Sequence, residues 1–236
     1  MPMLTYQARV SQHSLIKGKF HWLTFELVEP QTLEFTAGQF LMLNVPGMLP
    51  KRAYSIASNP VENNHVDILV DVGPQGDGSL YLQSLNPGET VSFMAPGGAF
   101  LIANDPTETK LAMVATGSGI SAVRSMLLNQ LQTKNDPRPI SLHWGMRYPE
   151  DLFWEEDFRM IEKQYPNFHF DLVLSQAPPG WPLCAGHVTD CLLKHYQDFS
   201  GLGVYICGSK KMIDDVITAL TGKGVPTQNI HHERFF

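Results

Sequence analysis

Lys51-Arg52-Ala53-Tyr54-Ser55-Ile56-Ala57-Ser58 places a guanidinium, a phenol and a hydroxyl within four residues. In an extended strand Arg52 and Tyr54 share one face, and Ser55 faces away unless the strand bends. Such a set offers a phosphate a charge-assisted partner, a flat aromatic ligand a stacking surface and a ring atom a hydrogen bond. An ordinary edge strand with an exposed Arg and Tyr fits the same residues. Gly73-Pro74-Gln75-Gly76-Asp77-Gly78-Ser79-Leu80 runs glycines into a helix start. Backbone amides there can point at an anion, and absent Cβ atoms allow close approach. The plainer alternative is a flexible hairpin loop ending in a helix capped by Ser79.

A third stretch, Val114-Ala115-Thr116-Gly117-Ser118-Gly119-Ile120-Ser121-Ala122, joins an apolar strand to a helical pattern. Its G-x-G-x-x-A spacing is a variant of the turn that receives a dinucleotide pyrophosphate in doubly wound sheets. The acidic residue expected about twenty positions later is not evident, because that stretch is Ile140–Trp144. Ile206-Cys207-Gly208-Ser209 ends a later apolar run, where open α/β sheets place ligands; alone, such a cysteine reads as a small buried hydrophobe. The last stretch is Ile230-His231-His232-Glu233-Arg234-Phe235-Phe236. Adjacent histidines on a strand point to opposite faces, which argues against a shared metal.

These stretches need two kinds of scaffold. Up to about residue 100 short apolar or alternating segments (6–10, 22–28, 39–45, 53–57, 66–72 and 90–94) are separated by turns such as Ala37-Gly38 and Pro87-Gly88, with a helical patch at Ser79–Leu85. That rhythm predicts a barrel or sandwich. From Lys110 strands at 110–115, 140–144, 168–174 and 204–207 alternate with helices at 121–132, 149–163, 188–195 and 211–222. That alternation predicts a doubly wound parallel sheet. The turn Asn104-Asp105-Pro106 divides them, giving domains 1–104 and 105–236.

Composition sets limits. The chain has 236 residues, 43% hydrophobic, with net charge −6, which suits two packed domains and argues against a nucleic-acid binder. No apolar run approaches a membrane span, and the first residues lack a signal-peptide pattern, so a cytoplasmic protein is expected. The three cysteines, Cys184, Cys191 and Cys207, match neither zinc pairs nor an iron–sulfur pattern, so no bound metal is expected.

Taken in order, R-x-Y-S, G-x-x-S, strand–G-x-G–helix, C-G and an acidic-x-aromatic end resemble the ferredoxin–NAD(P)⁺ reductase superfamily over nearly the whole chain. The resemblance implies a six-stranded antiparallel flavin barrel followed by a nicotinamide-binding α/β domain. It implies that Arg52, with Ala53 beside it, holds a flavin phosphate, that Tyr54 packs on the isoalloxazine, and that Ser55 bonds near its reactive nitrogen. Gly76, Gly78 and Ser79 would cradle a pyrophosphate, hence FAD. Thr116, Gly117, Gly119 and Gly208 would face the nicotinamide nucleotide, with Cys207 beside its ring. Glu233 would lie near the reacting centre, and Phe235 or Phe236 would cover the flavin and be displaced by nicotinamide. Ser175 is followed by Gln176, where many NADP-specific relatives carry Arg, which favours NADH; Arg147 could still serve NADPH.

The activity implied is hydride transfer between NAD(P)H and flavin, with single electrons passing to a ferredoxin or flavodoxin. One alternative is an NAD(P)H:flavin reductase acting on free flavin, or the reductase component of an oxygenase. Another is a flavin-bearing subunit of a larger iron–sulfur complex.

Overall fold

The computed structural model describes residues 2–48 and 51–234. They form two compact units. The first extends to Ile102 and also takes Arg124–Lys134; the second comprises Ala103–Val123 and the residues from Asn135 onward.

The first unit contains β1 (Leu4–Lys17), β2 (Phe20–Glu29), β3 (Phe40–Leu43), β4 (Arg52–Ser55), β5 (His65–Asp71), α1 (Asp77–Ser84) and β6 (Thr90–Gly97). The six strands pair antiparallel in the order β4-β3-β6-β1-β2-β5. An Ile56–Ile68 bridge, with Ala57 N–H donating to the Asp67 carbonyl at 2.8 Å, joins the end of β4 to β5 and closes the sheet into a barrel. Closure removes exposed strand edges. Alternation fills the interior: Tyr6, Ala8 and Val10 of β1 and Leu23, Phe25 and Leu27 of β2 are buried. Phe93 of β6 is fully enclosed, 5.6 Å from Tyr6 and 6.2 Å from Phe25 between ring centroids. Burying one such ring contributes about 1.5–3 kcal/mol.

The second unit contains β7 (Lys110–Thr116), the first residues of α2 (Ile120–Leu128), β8 (Ile140–Met146), α3 (Glu155–Gln164), β9 (Phe168–Leu174), β10 (Cys184–Ala185), α4 (Val188–His195), β11 (Leu202–Gly208), α5 (Lys210–Gly222) and β12 (Ile230–Arg234). All six strands run parallel in the order β10-β9-β8-β7-β11-β12. β8 and β11 are buried along their whole length, as a sheet covered on both faces requires. Period-two alternation sorts β8: Trp144 meets Phe153 and Phe158 on one face, whereas Ser141 and His143 meet Tyr196 and His195 on the other. α2 continues as a π-helical stretch over Asn129–Thr133, and its residues from Arg124 onward belong to the first unit. Ser125 Oγ donates to the Ser58 carbonyl at 2.7 Å, and Arg124 to that of Ala57 at 2.7 Å.

Two local expectations fail. The helix expected over 149–163 is a 3₁₀ turn at Pro149–Asp151, a break, and then α3. Phe153 turns inward to pack 4.9 Å from Trp144, and Trp154 takes a left-handed φ of 55°, which no helix interior accommodates. Ser79 is not the cap of α1. The helix starts two residues earlier with Gly76 as N-cap, and Ser79 Oγ, already inside the first turn, donates to the Gly76 carbonyl at 2.8 Å.

Candidate functional site

In the barrel unit, β4 and the first turn of α1 converge. Arg52 and Tyr54 are partly buried, Ala53 is exposed, and Ser55 is 4% exposed. A Cβ on Gly78 would stand 2.7 Å from Tyr54 Oη and 2.8 Å from Arg52 Cγ. Arg52 and Tyr54 therefore do share a face, and the missing side chain of Gly78 is what lets both lie against the helix. Burial pushes the Tyr54 hydroxyl up to about 12, against the opposing pull of Arg52. The phenol is neutral and can only offer its ring and its O–H. Asp77 sits in the first turn, where its charge suits the helix dipole. Gly76 is unlike Gly78: among the described residues a Cβ there would meet nothing nearer than Ser79 Oγ at 3.9 Å. The described residues leave space for a side chain at 76.

In the second unit the carboxyl ends of β7 and β11 meet. Gly117 turns out of β7 with φ +54°, and Trp144 Nε1 holds it by donating to its carbonyl at 3.2 Å. A Cβ on Gly119 would run into the carbonyl oxygen of Cys207, and would lie 2.7 Å from its carbon. A Cβ on Gly208 would run into Thr116 Oγ1, which also accepts from Ser209 N–H at 3.4 Å. Thr116, Gly117, Gly119, Cys207 and Gly208 are thus one constellation, built on two glycine contacts. Ser209, the N-cap of α5, accepts from Met212 N–H at 3.3 Å, a cap that sequence reasoning missed although Ser before a helical run is its usual signal.

Cys207 is fully buried, and burial, reinforced by the charge of Glu233, drives its thiol well above the ordinary range. Cys207 and Glu233 are register partners across β11 and β12. Its burial favours the protonated thiol. His231 and His232 do point apart. His231 bonds to Glu108 Oε1 at 2.7 Å and stacks on Tyr205, whereas His232 is exposed. Arg147 and Gln176 lie side by side at the ends of β8 and β9, where Gln176 N–H donates to the Arg147 carbonyl at 3.0 Å. Phe235 and Phe236 lie outside the described residues.

Two family models match the chain: an oxidoreductase FAD-binding domain over residues 7–102 and an oxidoreductase NAD-binding domain over residues 113–218. Ferredoxin–NADP reductase B of Sorangium cellulosum is 32% identical over 223 residues, covering 90% of each chain. The chain belongs to the ferredoxin–NADP reductase family. The phenol 2-monooxygenase reductase component of Pseudomonas sp. strain CF600 is also 32% identical to this reductase, over all of it and 67% of the longer relative. The crystal structure of an Amycolatopsis cytochrome P450 reductase superposes with a TM-score of 0.91 at 25% identity, covering 99% of this chain and 70% of that one. This reductase is accordingly an NAD(P)H-dependent flavoprotein with an FAD-binding barrel and an NAD-binding parallel sheet, as its motif order implied. Its relatives work with a small redox partner or an oxygenase. Among the described residues no helix is long and apolar enough to cross a membrane.

Proposed function

We propose that this reductase carries electrons from NADH, through FAD, to a small one-electron carrier such as a ferredoxin or flavodoxin in the cytoplasm. Residues 1–104 would hold FAD and residues 105–236 the nicotinamide nucleotide. The observation that carries the reading is Gly78, whose bare Cα lets Arg52 and Tyr54 stand together at the start of α1. A guanidinium, a neutral ring and a helix N-terminus fit the phosphate and flat-ring parts of FAD. Bound FAD supplies the conversion of a two-electron donor's hydride into single electrons.

The chain's own residues bind and orient. Arg52 neutralises phosphate, Gly76, Gly78 and Ser79 leave room for it, Tyr54 supplies a packing face, and Ser55 offers a hydrogen bond from a buried position. Thr116, Gly117, Gly119 and Gly208 receive the nicotinamide nucleotide. Cys207, held protonated, keeps that floor uncharged, with Glu233 beside it. The NADH preference is supported by the neutral amide of Gln176; Arg147 is the counter-indication, although its guanidinium lies over the Tyr148 ring at 5.3 Å. Phe235 and Phe236 would gate the flavin face, so F235S and F236S should tighten nicotinamide binding, read by difference-spectral titration; unchanged affinity in both removes the gate.

The reductase components among the relatives favour one second reading, electron delivery to an oxygenase. The test is the visible spectrum of the purified protein under anaerobic NADH and then NADPH, followed by acceptor assays. Flavin bands bleached faster by NADH, with turnover on ferredoxin or flavodoxin, support the proposal. Turnover on free flavin alone, or only with an oxygenase, replaces it.

A further inference from the structure

Beneath α4, on the sheet face away from the Trp144 cluster, ligand-type side chains collect that the flavin chemistry does not use. His143 of β8 and Asp171 of β9 are register partners, and His195 closes on them from the last turn of α4. Asp171 Oδ2 lies 3.2 Å from His143 Nδ1 and 3.6 Å from His195 Nδ1. One ligand-type atom from each of the three residues stands within 4.8 Å of the other two. Cys184 and Cys191 bring their sulfurs to the same carboxylate.

His143 is fully buried, and among the described residues its Nδ1 finds no partner in hydrogen-bond geometry, although Asp171 Oδ2 lies 3.2 Å away. Its Nε2 is engaged, 3.0 Å from Ser141 Oγ, which is 2.7 Å from Tyr196 Oη. A hydrogen bond at one imidazole nitrogen orients the other as a metal ligand. A plain His–Asp ion pair would instead aim Nδ1–H straight at the carboxylate.

We propose that His143 Nδ1, Asp171 Oδ2 and His195 Nδ1 form a binding site for a divalent transition metal of the zinc type. Zinc bonds to N and O of about 2.0–2.2 Å set tetrahedral edges of roughly 3.3–3.6 Å; of the two measured edges, 3.6 Å lies at the top of that span and 3.2 Å just below it. His169, bonded to Asp171 Oδ1 at 3.2 Å and to Glu162 at 2.9 Å, orients the carboxylate from outside. His169 and His195 border a pocket of about 280 Å³ that gives an ion access. The site joins α4 to the sheet at mid-strand, so its role is structural, with metal binding adding to folding stability.

The test uses the full-length holoprotein, treated with chelator and dialysed against zinc(II). Zinc per chain is read by mass spectrometry and unfolding by calorimetry. One tightly held zinc per chain and a raised Tm are expected. H195Q, altered at a partly exposed position, and D171N should each weaken zinc by about 100-fold or more, and S141A by about 10–100-fold. H65Q, in the Glu62–His65–Asp67 trio of the barrel, should keep it. Failure of the wild type to retain zinc, or retention in H195Q equal to wild type, overturns the proposal. Loss in the C184S/C191S double variant with retention in H195Q overturns the ligand set.

Discussion

Gly78→Ala separates what the fold needs from what the cofactor needs. The added Cβ would stand 2.7 Å from Tyr54 Oη, 2.8 Å from Arg52 Cγ and 3.3 Å from Arg52 Cβ, so both side chains must move. Neither obstacle is backbone. The tyrosine hydroxyl is a chain end, and Arg52 can rotate. The fold is therefore spared, and Ala gains about 0.8–1 kcal/mol of helix propensity over Gly, which offsets the strain. FAD binding is not spared. Displacing Arg52 forfeits a charge-assisted phosphate contact of about 1.5–3 kcal/mol, or roughly 10–150-fold in Kd. The assay is a fluorescence titration of the deflavinated protein with FAD, beside a thermal melt without FAD. The expected result is a melt within a few degrees of wild type and a Kd raised in that range. G76A gives the contrast, since among the described residues its Cβ meets nothing closer than 3.9 Å; any loss of FAD there reports approach of the ligand itself. A G78A protein that binds FAD within threefold of wild type would refute the reasoning about this cradle.

Other perturbations follow from the same contacts. Gly119→Ala drives a methyl into the backbone of Cys207, which cannot rotate away, so it should cost about 1–3 kcal/mol and weaken NAD(P)H binding together, read by a melt and a nucleotide titration. Cys207 has its folded pKa raised, so its contribution to stability is present below about 8.5, where a free thiol titrates, and is lost as pH rises above that. Iodoacetamide should accordingly leave Cys207 unmodified at pH 8 in the native protein while Cys184, partly exposed, is labelled; mass spectrometry showing Cys207 labelled first would contradict its burial. Glu108, 1% exposed, accepts from Tyr205 Oη at 2.6 Å and meets His231 at 2.7 Å. Glu108→Ala should destabilise the second unit by about 1.5–3 kcal/mol per bond lost, measured by urea unfolding.

Much of this architecture was legible because its signals are local. The runs 168–174 and 188–195 coincide with β9 and α4, since period and turn residues agree there. The three glycine-bearing turns were legible for the same reason: glycine is where backbone must approach something. The break before α3 was not, because it depends on Phe153 finding Trp144, a partner no local pattern reveals. Ser79 carried a cap residue's chemistry at the wrong place, since Gly76 and Asp77 already start the helix. The pairing of Cys207 with Glu233 is a strand register, set by packing between distant segments. The cluster of His143, Asp171 and His195 was invisible for the same reason: each residue alone looks like an ordinary sheet or helix residue, and only the parallel pairing of β8 with β9 brings them together.

The strand order has a consequence for how a ribosome can deliver this chain. β7 lies at the centre of the parallel sheet, between β8 and β11. One flank is available soon after β7 emerges, but the other waits for Leu202–Gly208. At about 5–20 residues per second that delay is roughly 4–17 s. During it, an apolar edge with unsatisfied amides has no native neighbour. The nascent polypeptide passes through a sticky interval that the finished barrel, complete by residue 97, does not share. A premature stop between β9 and β11 should therefore yield a folded barrel fused to an aggregating remnant, which makes the last third of translation the step at which chaperones matter most.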